Sequence, residues 1–357
     1  MRSLGPAGWA SHGFFGFRAK TFGNPTGATS GNGGPQPNPA ATFVNHGISV
    51  PGPGVPIAMA SDATGHITVI TSNGNTFQAL GGGASWEPLG TIAGFGSTQP
   101  EVQLAQSPVG GVGGGVLLVP MEADASILAR SVDFGEAWTT GIASGTATAG
   151  AMTLVNDNLS HWISIGNIAG SVATNVYAQS IDDGQTWSQA SNVTSISGTD
   201  YPFIPTYDGT QFIVPSNNGV ANGIWTSANG NNWTFTPLSD SVPGEFLGSV
   251  YLVGGTYHSG SQEFNQVYSG DSIADLCSLA TTAEVPLFSG IQFLLLSGAT
   301  WFALDATGAV ATSTDFVTWT AGNFNAPDGE VAVLAAVSAT TGQVIAITES
   351  GYVLSCP

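Results

Sequence analysis

Five carboxylates, Asp62, Asp200, Asp208, Glu245 and Asp305, stand outside any repeated pattern and are the candidates for acid–base work. Two carboxylates across a cleft can hydrolyse a glycosidic bond, one protonating the leaving oxygen while the other attacks or activates water. Their contexts point elsewhere. "SDATG", "YDGT" and "LDATG" set Asp62, Asp208 and Asp305 just ahead of a glycine. An Asp there bonds the backbone two residues on and folds a turn. No spacing rule pairs these residues along the chain. His12, His46, His66, His161 and His258 are scattered without metal-ligand spacing, and no EF-hand loop surrounds the aspartates. Gly-x-Ser-x-Gly and Walker motifs are absent, and "GGVGGG" (110–115) lies between strand-like runs, not ahead of a helix. The expectation is no catalytic residue, no cofactor and no metal. A carboxylate-pair hydrolase is the alternative.

Two further aspartates repeat their surroundings. "SVDFGEAW" (131–138) and "SIDDGQTW" (180–187) both read Ser-x-Asp-x-Gly-x-x-Trp. Weaker copies are "ALGGGASW", "SANGNNW" and "STDFVTW", ending at Trp86, Trp233 and Trp319, and "SGDSIADL", where Leu276 replaces Trp. The end points are 52, 49, 46, 43 and 43 residues apart. A period of about 45 residues is the mark of a propeller-type array. Within one period, "AMTLV", "HWISI", "NVYAQS" and "TWSQA" read as four short strands divided by Gly, Asn and Asp. The block therefore joins the third strand to the fourth. Asp folds the turn, Gly supplies a positive φ, and Trp opens the outer strand with its ring between neighbouring sheets. No ligand is needed for any of this.

The block resembles the Asp-box, or BNR repeat, of the sialidase-like β-propellers. The full matches are Ser131, Asp133, Gly135, Trp138 and Ser180, Asp182, Gly184, Trp187. The resemblance covers residues 41–357 and implies an all-β propeller whose boxes are structural turns away from the active-site face. Six blocks close six units. After Trp319, "VAVLAAV", "QVIAIT" and "GYVLSC" make three strands of a seventh blade without a fourth, and "ATFVNHGISV" (41–50) has no unit of its own. The reading is a seven-bladed propeller in which the segment 41–50 supplies the missing strand. Six or eight blades are the alternatives. Sialidases of that family hold the substrate carboxylate with three arginines. This chain has three in total, two of them before residue 20, so the resemblance does not carry sialidase activity over.

Composition narrows the partners. Charged residues are 8% of the chain, and 23 acids face only Arg2, Arg18, Lys20 and Arg130, for a net charge of −19. Nucleic acid and anionic membranes need basic patches, and past residue 20 only Arg130 is available. No apolar run of transmembrane length occurs, and the N-terminus lacks the unbroken apolar segment of a cleaved signal peptide. Cys277 and Cys356 fall in non-adjacent units and read as free thiols. Trp162, Tyr201, Tyr207, Trp225 and Trp301 are aromatic enough to stack on sugars, although the matching strand positions of Trp162 and Trp301 suggest blade core.

Residues 1–40 differ in character. "GNPTGATSGNGGPQPNPA" reads as a Gly/Pro/Asn linker. Ahead of it stand Trp9, Phe14, Phe15, Phe17, Arg18 and Lys20, residue types that anchor interfaces. The division is an extended arm, 1–40, and a propeller, 41–357. The function expected is a non-enzymatic structural, receptor-binding or glycan-binding propeller. Its arm would hold it in a larger assembly, resembling in architecture a phage virion component (tail, fibre or capsid decoration), so its place would be virion or extracellular. A secreted glycoside hydrolase or carbohydrate-binding propeller is the alternative.

Overall fold

The computed structural model describes residues 17–18, 40–61, 66–80, 85–95, 105–107, 115–121, 127–143, 149–157, 159–168, 175–189, 201–202, 205–217, 222–239, 245–287, 289–338 and 341–356. They form seven antiparallel sheets, the blades of one propeller. Blade 1 comprises Pro56–Ser61, His66–Thr71, Asn75–Leu80 and Trp86–Thr91. Blade 2 comprises Ala105–Ser107, Val116–Pro120, Ile127–Ser131 and Thr139–Ala143. Blade 3 comprises Ala149–Asn156, Trp162–Ile168, Asn175–Ser180 and Ser188–Gln189. In blade 4 the first strand is split into Tyr201–Pro202 and Thr206–Tyr207, and Phe212–Asn217, Asn222–Ser227 and Thr234–Pro237 follow. Blade 5 comprises Leu247–Val253, Thr256–Ser261, Gln266–Gly270 and Thr281–Glu284. Blade 6 comprises Ile291–Ser297, Thr300–Asp305, Val310–Ser313 and Thr320–Ala321.

Blade 7 closes the ring. Ala332–Val337, Val344–Thr348 and Tyr352–Cys356 are its first three strands, and the fourth is Val44–Ser49 from the other end of the propeller sequence. Val44 lies opposite Ser355, Asn45 opposite Leu354 and Ser49 opposite Tyr352. Just before this strand, Phe43 donates its N–H to Asn323 O and Asn323 donates to Ala41 O, at 2.9 and 2.7 Å. The same crossing thus ties blade 7 to blade 6.

The strand sequences follow from the stacking. Each blade packs between two others, so both faces of its inner strands are covered and their sequences are continuous apolar runs. Every residue of Val116–Pro120 and of Val344–Thr348 is buried. The outer strands keep one wet face. Thr139–Ala143 alternates exposed and half-buried, the period of two that a one-sided strand requires. Cys277 and Cys356 are buried free thiols.

Each sheet is a meander, so its turns sort to two ends. The first and third hairpins of every blade lie at one end, called here the Trp-turn end. The second hairpins and the links between blades lie at the other, the connection end. One block departs from the pattern. In "SGDSIADL" the chain makes a short helix, Ile273–Cys277, with Ser272 as its N-cap accepting from Asp275 N. Leu276 is buried where the other blocks place Trp.

Candidate functional site

The repeated turn is a closed hydrogen-bond unit. In blade 3 the Ser180 hydroxyl donates to Asp182 Oδ1 at 2.7 Å and accepts from Gly184 N at 2.9 Å. Thr186 N donates to the same Oδ1 at 2.9 Å, and the Trp187 indole donates to Gly184 O at 3.1 Å. Blade 2 repeats it with Ser131, Asp133, Gly135, Ala137 and Trp138 at 2.7, 2.7, 2.9 and 3.1 Å. The eight-residue blocks need two left-handed residues, Phe134 and Gly135 or Asp183 and Gly184; the seven-residue blocks need one, Gly230 or Phe316. Burial would raise the Asp182 carboxyl, but hydrogen bonds from Thr186, Ser180 and Gln185 outweigh it and hold it below the ordinary carboxylate range. Asp182 is thus spent on its own turn.

The turn also reaches backwards around the ring. The Thr68 hydroxyl of blade 1 donates to Phe134 O in the turn of blade 2 at 2.9 Å. Arg130 Nε of blade 2 donates to Asp183 O in the turn of blade 3 at 2.6 Å. A Cβ on Gly184 would meet Leu118 of blade 2, and one on Gly230 would meet Ile163 of blade 3. Phe316 in the turn of blade 6 packs on His258 of blade 5, ring centroids 4.5 Å apart. The turns of blades 2, 3, 4 and 6 are therefore clasps on the preceding blade. The propeller's lone basic side chain in sequence, Arg130, is one such clasp.

The three candidate carboxylates among the described residues do not converge. Asp208 sits in the first hairpin of blade 4, at the Trp-turn end. Its Oδ1 accepts from Thr210 N, Thr210 Oγ1 and Gln211 N at 2.7, 2.8 and 2.9 Å, and its Oδ2 from the Tyr257 hydroxyl of blade 5 at 2.9 Å. Burial pushes this carboxyl up, and the bonds from Gln211, Thr210 and Tyr257 bring it below its ordinary value. Glu245 and Asp305 lie at the opposite, connection end. Asp305 is fully buried and accepts from Thr307 N, Thr307 Oγ1 and Ala309 N at 2.8, 2.8 and 2.9 Å on one oxygen, and from Ser289 N at 3.2 Å on the other. Glu245 is 1% exposed. Asp62 and Asp200 lie outside the described residues.

Glu245 is the unusual member. The Tyr268 hydroxyl lies 2.9 Å from its Oε2 and 2.8 Å from Gln266 Oε1. One phenol proton cannot serve two acceptors. A Glu245 proton donated to the Tyr268 oxygen, or a Gln266 amide turned to donate its N–H there, satisfies the set. Burial raises the Glu245 carboxyl, and the bonds from Ser261 and Tyr268 offset this only in part. The contact joins residues 23 apart in sequence that no spacing rule links. Asp208 with Tyr257, 49 apart and across a blade seam, is likewise invisible in sequence.

The aromatic candidates are mostly core. Trp162, Trp225 and Trp301 are buried, while Tyr207 is half-buried and stacks on Phe212 at 5.0 Å. Tyr201 is described only as backbone in the first strand of blade 4. Among the described residues no three His, Cys, Asp or Glu group to hold a metal, and no helix is long and apolar enough to cross a membrane. Of the arm residues, Trp9, Phe14, Phe15 and Lys20 lie outside the described residues. The backbone of Phe17 and Arg18 pairs in parallel with Leu334 and Ala335 on the inner edge of blade 7. The most exposed large apolar residues include Ile181 at 75% and Leu159 at 63%, both at the Trp-turn end of blade 3, and Val132 in the same position of blade 2 at 54%. Asp183 N donates to Ser160 O at 3.1 Å, tying the hairpin of Leu159 to the turn of Ile181.

No known protein-family profile matches the chain, and no curated protein matches it in sequence. Solved structures do match in fold. YCF48 bound to a D1 peptide superposes with a TM-score of 0.61 at 13% identity, covering 88% of this chain and 96% of that one. YCF48 from Cyanidioschyzon merolae gives 0.61 at 14%, covering 88% and 98%. The Niastella koreensis GH74 enzyme gives 0.61 at 16%, covering 88% of this chain and 53% of that one. At such identities the likeness is one of fold, and a fold shared by a peptide-bound protein and an enzyme assigns neither role.

Proposed function

We propose that this chain is a non-enzymatic binding or structural propeller, held in a larger assembly by its N-terminal arm. The observation that carries the reading is where its acids are spent. Asp133, Asp182, Asp208 and Asp305 each turn an oxygen onto backbone N–H groups of their own turns, and Glu245 is buried against Tyr268. The exposed large apolar residues of blades 2 and 3, Val132, Leu159 and Ile181, stand beside those acidic turns. Such a surface suits recognition through contact area. The YCF48 propeller bound to a D1 peptide is a precedent for peptide binding by this fold.

The finer reading places the assembly on a virus particle, such as a phage tail, fibre or capsid decoration, or on another extracellular structure, with a host glycan or receptor as ligand. The uncharged Ser/Thr/Asn-rich surface and the aromatic, basic arm support it. The test is removal of residues 1–35, which spares the closing strand Val44–Ser49. The truncated chain should keep a folded circular-dichroism spectrum, lose only the pairing of Phe17 and Arg18 with Leu334 and Ala335, and lose its place in the assembly. Normal incorporation would refute the arm's role. The second reading, a glycoside hydrolase, draws on the GH74 likeness. Release of reducing sugar from a glycan panel, abolished by one Asp or Glu substitution, would establish it and overturn the first.

A further inference from the structure

Six blades carry one equivalent slot. It is the residue on the second strand opposite the first residue of the turn block. The pairs are Ile67 with Ala79, Leu117 with Ser131, Trp162 with Ser180, Phe212 with Ser227, His258 with Ser269 and Trp301 with Ser313. Five of the six occupants are apolar and buried. The sixth is a histidine.

His258 lies at the seam between blades 5 and 6. Its ring meets Phe316 at 4.5 Å and Trp301 at 5.2 Å between centroids. Trp301 in turn packs on Tyr251 and Phe316, so the histidine is one member of an aromatic cluster that closes the seam. Its Nδ1 is buried without a hydrogen-bond partner. The ionisable groups on the surrounding elements are engaged elsewhere. The Tyr251 hydroxyl donates to Leu294 O at 2.6 Å, Asp271 accepts from Thr256, Asp275 accepts from Ser272, and Asp315 caps its own turn through Val317 N and Thr318 N. Glu245 and Glu263 belong to the connection end of the same blade. Among the described residues no acid is placed to balance a charge on the imidazole.

We propose that His258 makes the seam between blades 5 and 6 an acid-sensitive latch, closed while the ring is neutral and loosened when it takes a proton. A neutral imidazole fills the slot as Phe212 does in blade 4. His258 is half-buried, and an imidazolium there would hold a proton on the buried Nδ1 with no acceptor for it, a polar group desolvated without a partner. The only cause acting on its titration is burial, which lowers it from 6.5 to about 4. The folded form therefore refuses a proton that the unfolded chain accepts. The contribution of neutral His258 is complete above pH 6.5 and is lost as the pH falls toward 4.

The experiment is a histidine NMR titration of the full chain, with amide exchange and melting followed from pH 7 to 3. His258→Phe assigns the signal and is the insensitive control. The His258 resonance should titrate two or more pH units below that of a free imidazole. On acidification, amide protection in Val310–Ser313 and Thr256–Ser261 should fall about tenfold further than at the seam of blades 1 and 2. His258→Phe should remove at least half of the acid-induced fall in melting temperature. A His258 that titrates at 6.5 or above, held charged by the aromatic rings, overturns the proposal. So does an acid response spread evenly over all seams. If His258→Phe does not fold, the titration and exchange of the native chain still decide.

Discussion

Substituting Gly184 by Ala tests whether the repeated turn is a clasp. Gly184 has φ of +75°, and an added Cβ would stand 2.6, 3.0 and 3.3 Å from Leu118 Cδ1, Cδ2 and Cγ. Two costs follow. An alanine in left-handed backbone costs about 1 kcal/mol. Three close contacts with a fully buried leucine cannot be relieved by one methyl rotation, so Leu118 must move as a whole. Overpacking of this kind costs about 1–3 kcal/mol. The sum is about 2–4 kcal/mol, which for a domain of this size lowers the melting temperature by roughly 3–6 °C. Gly141 is the control. Its φ is +84° with nothing within 4 Å of the added Cβ, so Gly141→Ala bears only the backbone cost. Melting both variants by calorimetry under reversible conditions separates the terms. Trimming Leu118 to Ala in the Gly184→Ala background should cost less than in the native chain, since the two changes share one space. Equal losses for Gly184→Ala and Gly141→Ala, or strict additivity with Leu118→Ala, would refute the clasp.

Two further substitutions examine the buried ionisable groups. Glu245→Gln should stabilise the chain at pH 8, by on the order of 1 kcal/mol, and lose that advantage at pH 4. The folded carboxyl is raised by burial, so the native contribution of protonated Glu245 is full below its unfolded value of 4.5 and lost as pH rises through the folded one; a variant equally destabilised at both pH values contradicts this. Arg130→Met should cost about 1–3 kcal/mol in urea titration by removing the charged donor to Asp183 O. Asp183→Asn, which keeps that carbonyl and tolerates φ of 58°, should cost a few tenths; matching losses would place the interaction on the carboxylate.

The sequence was legible where one rule recurs. Trp86, Trp138, Trp187, Trp233 and Trp319 recur at a regular interval because each opens a fourth strand, and the count carried through to seven blades even where Leu276 replaces Trp. The orphan segment 41–50 could be paired with three orphan strands because an open propeller would leave a sheet edge bare. The helix at Ile273–Cys277 was not foreseen. "SGDSIADL" was read as a decayed turn, although Ser272 and Asp275 already carry an N-cap and its partner three residues on. The candidate-site contacts were harder. Asp208 with Tyr257 and Glu245 with Tyr268 are set by where strands end in three dimensions, and sequence spacing between blades drifts from 43 to 52 residues. His258 was readable in principle. Aligning the units on their turn blocks puts it in the column of Trp162 and Trp301, and only the scatter of histidines along the chain hid it.

Read column by column, blade 5 departs from its neighbours at three points. The turn is a helix, the Trp is Leu276, and the second-strand slot is His258. It also holds Tyr268 against the buried acid Glu245. In blades 2, 3, 4 and 6 the second-strand position holds Leu117, Trp162, Phe212 or Trp301 and the block ends in Trp. A repeat array has the same physical demand at each position, so a polar or titratable residue in an apolar column lowers stability without a packing return. Drift alone would scatter such departures over all seven blades. Their meeting in one blade, at its Trp-turn and connection ends, is what the latch proposed above would use, while the turns of blades 2 and 3 are intact beside exposed Ile181 and Leu159.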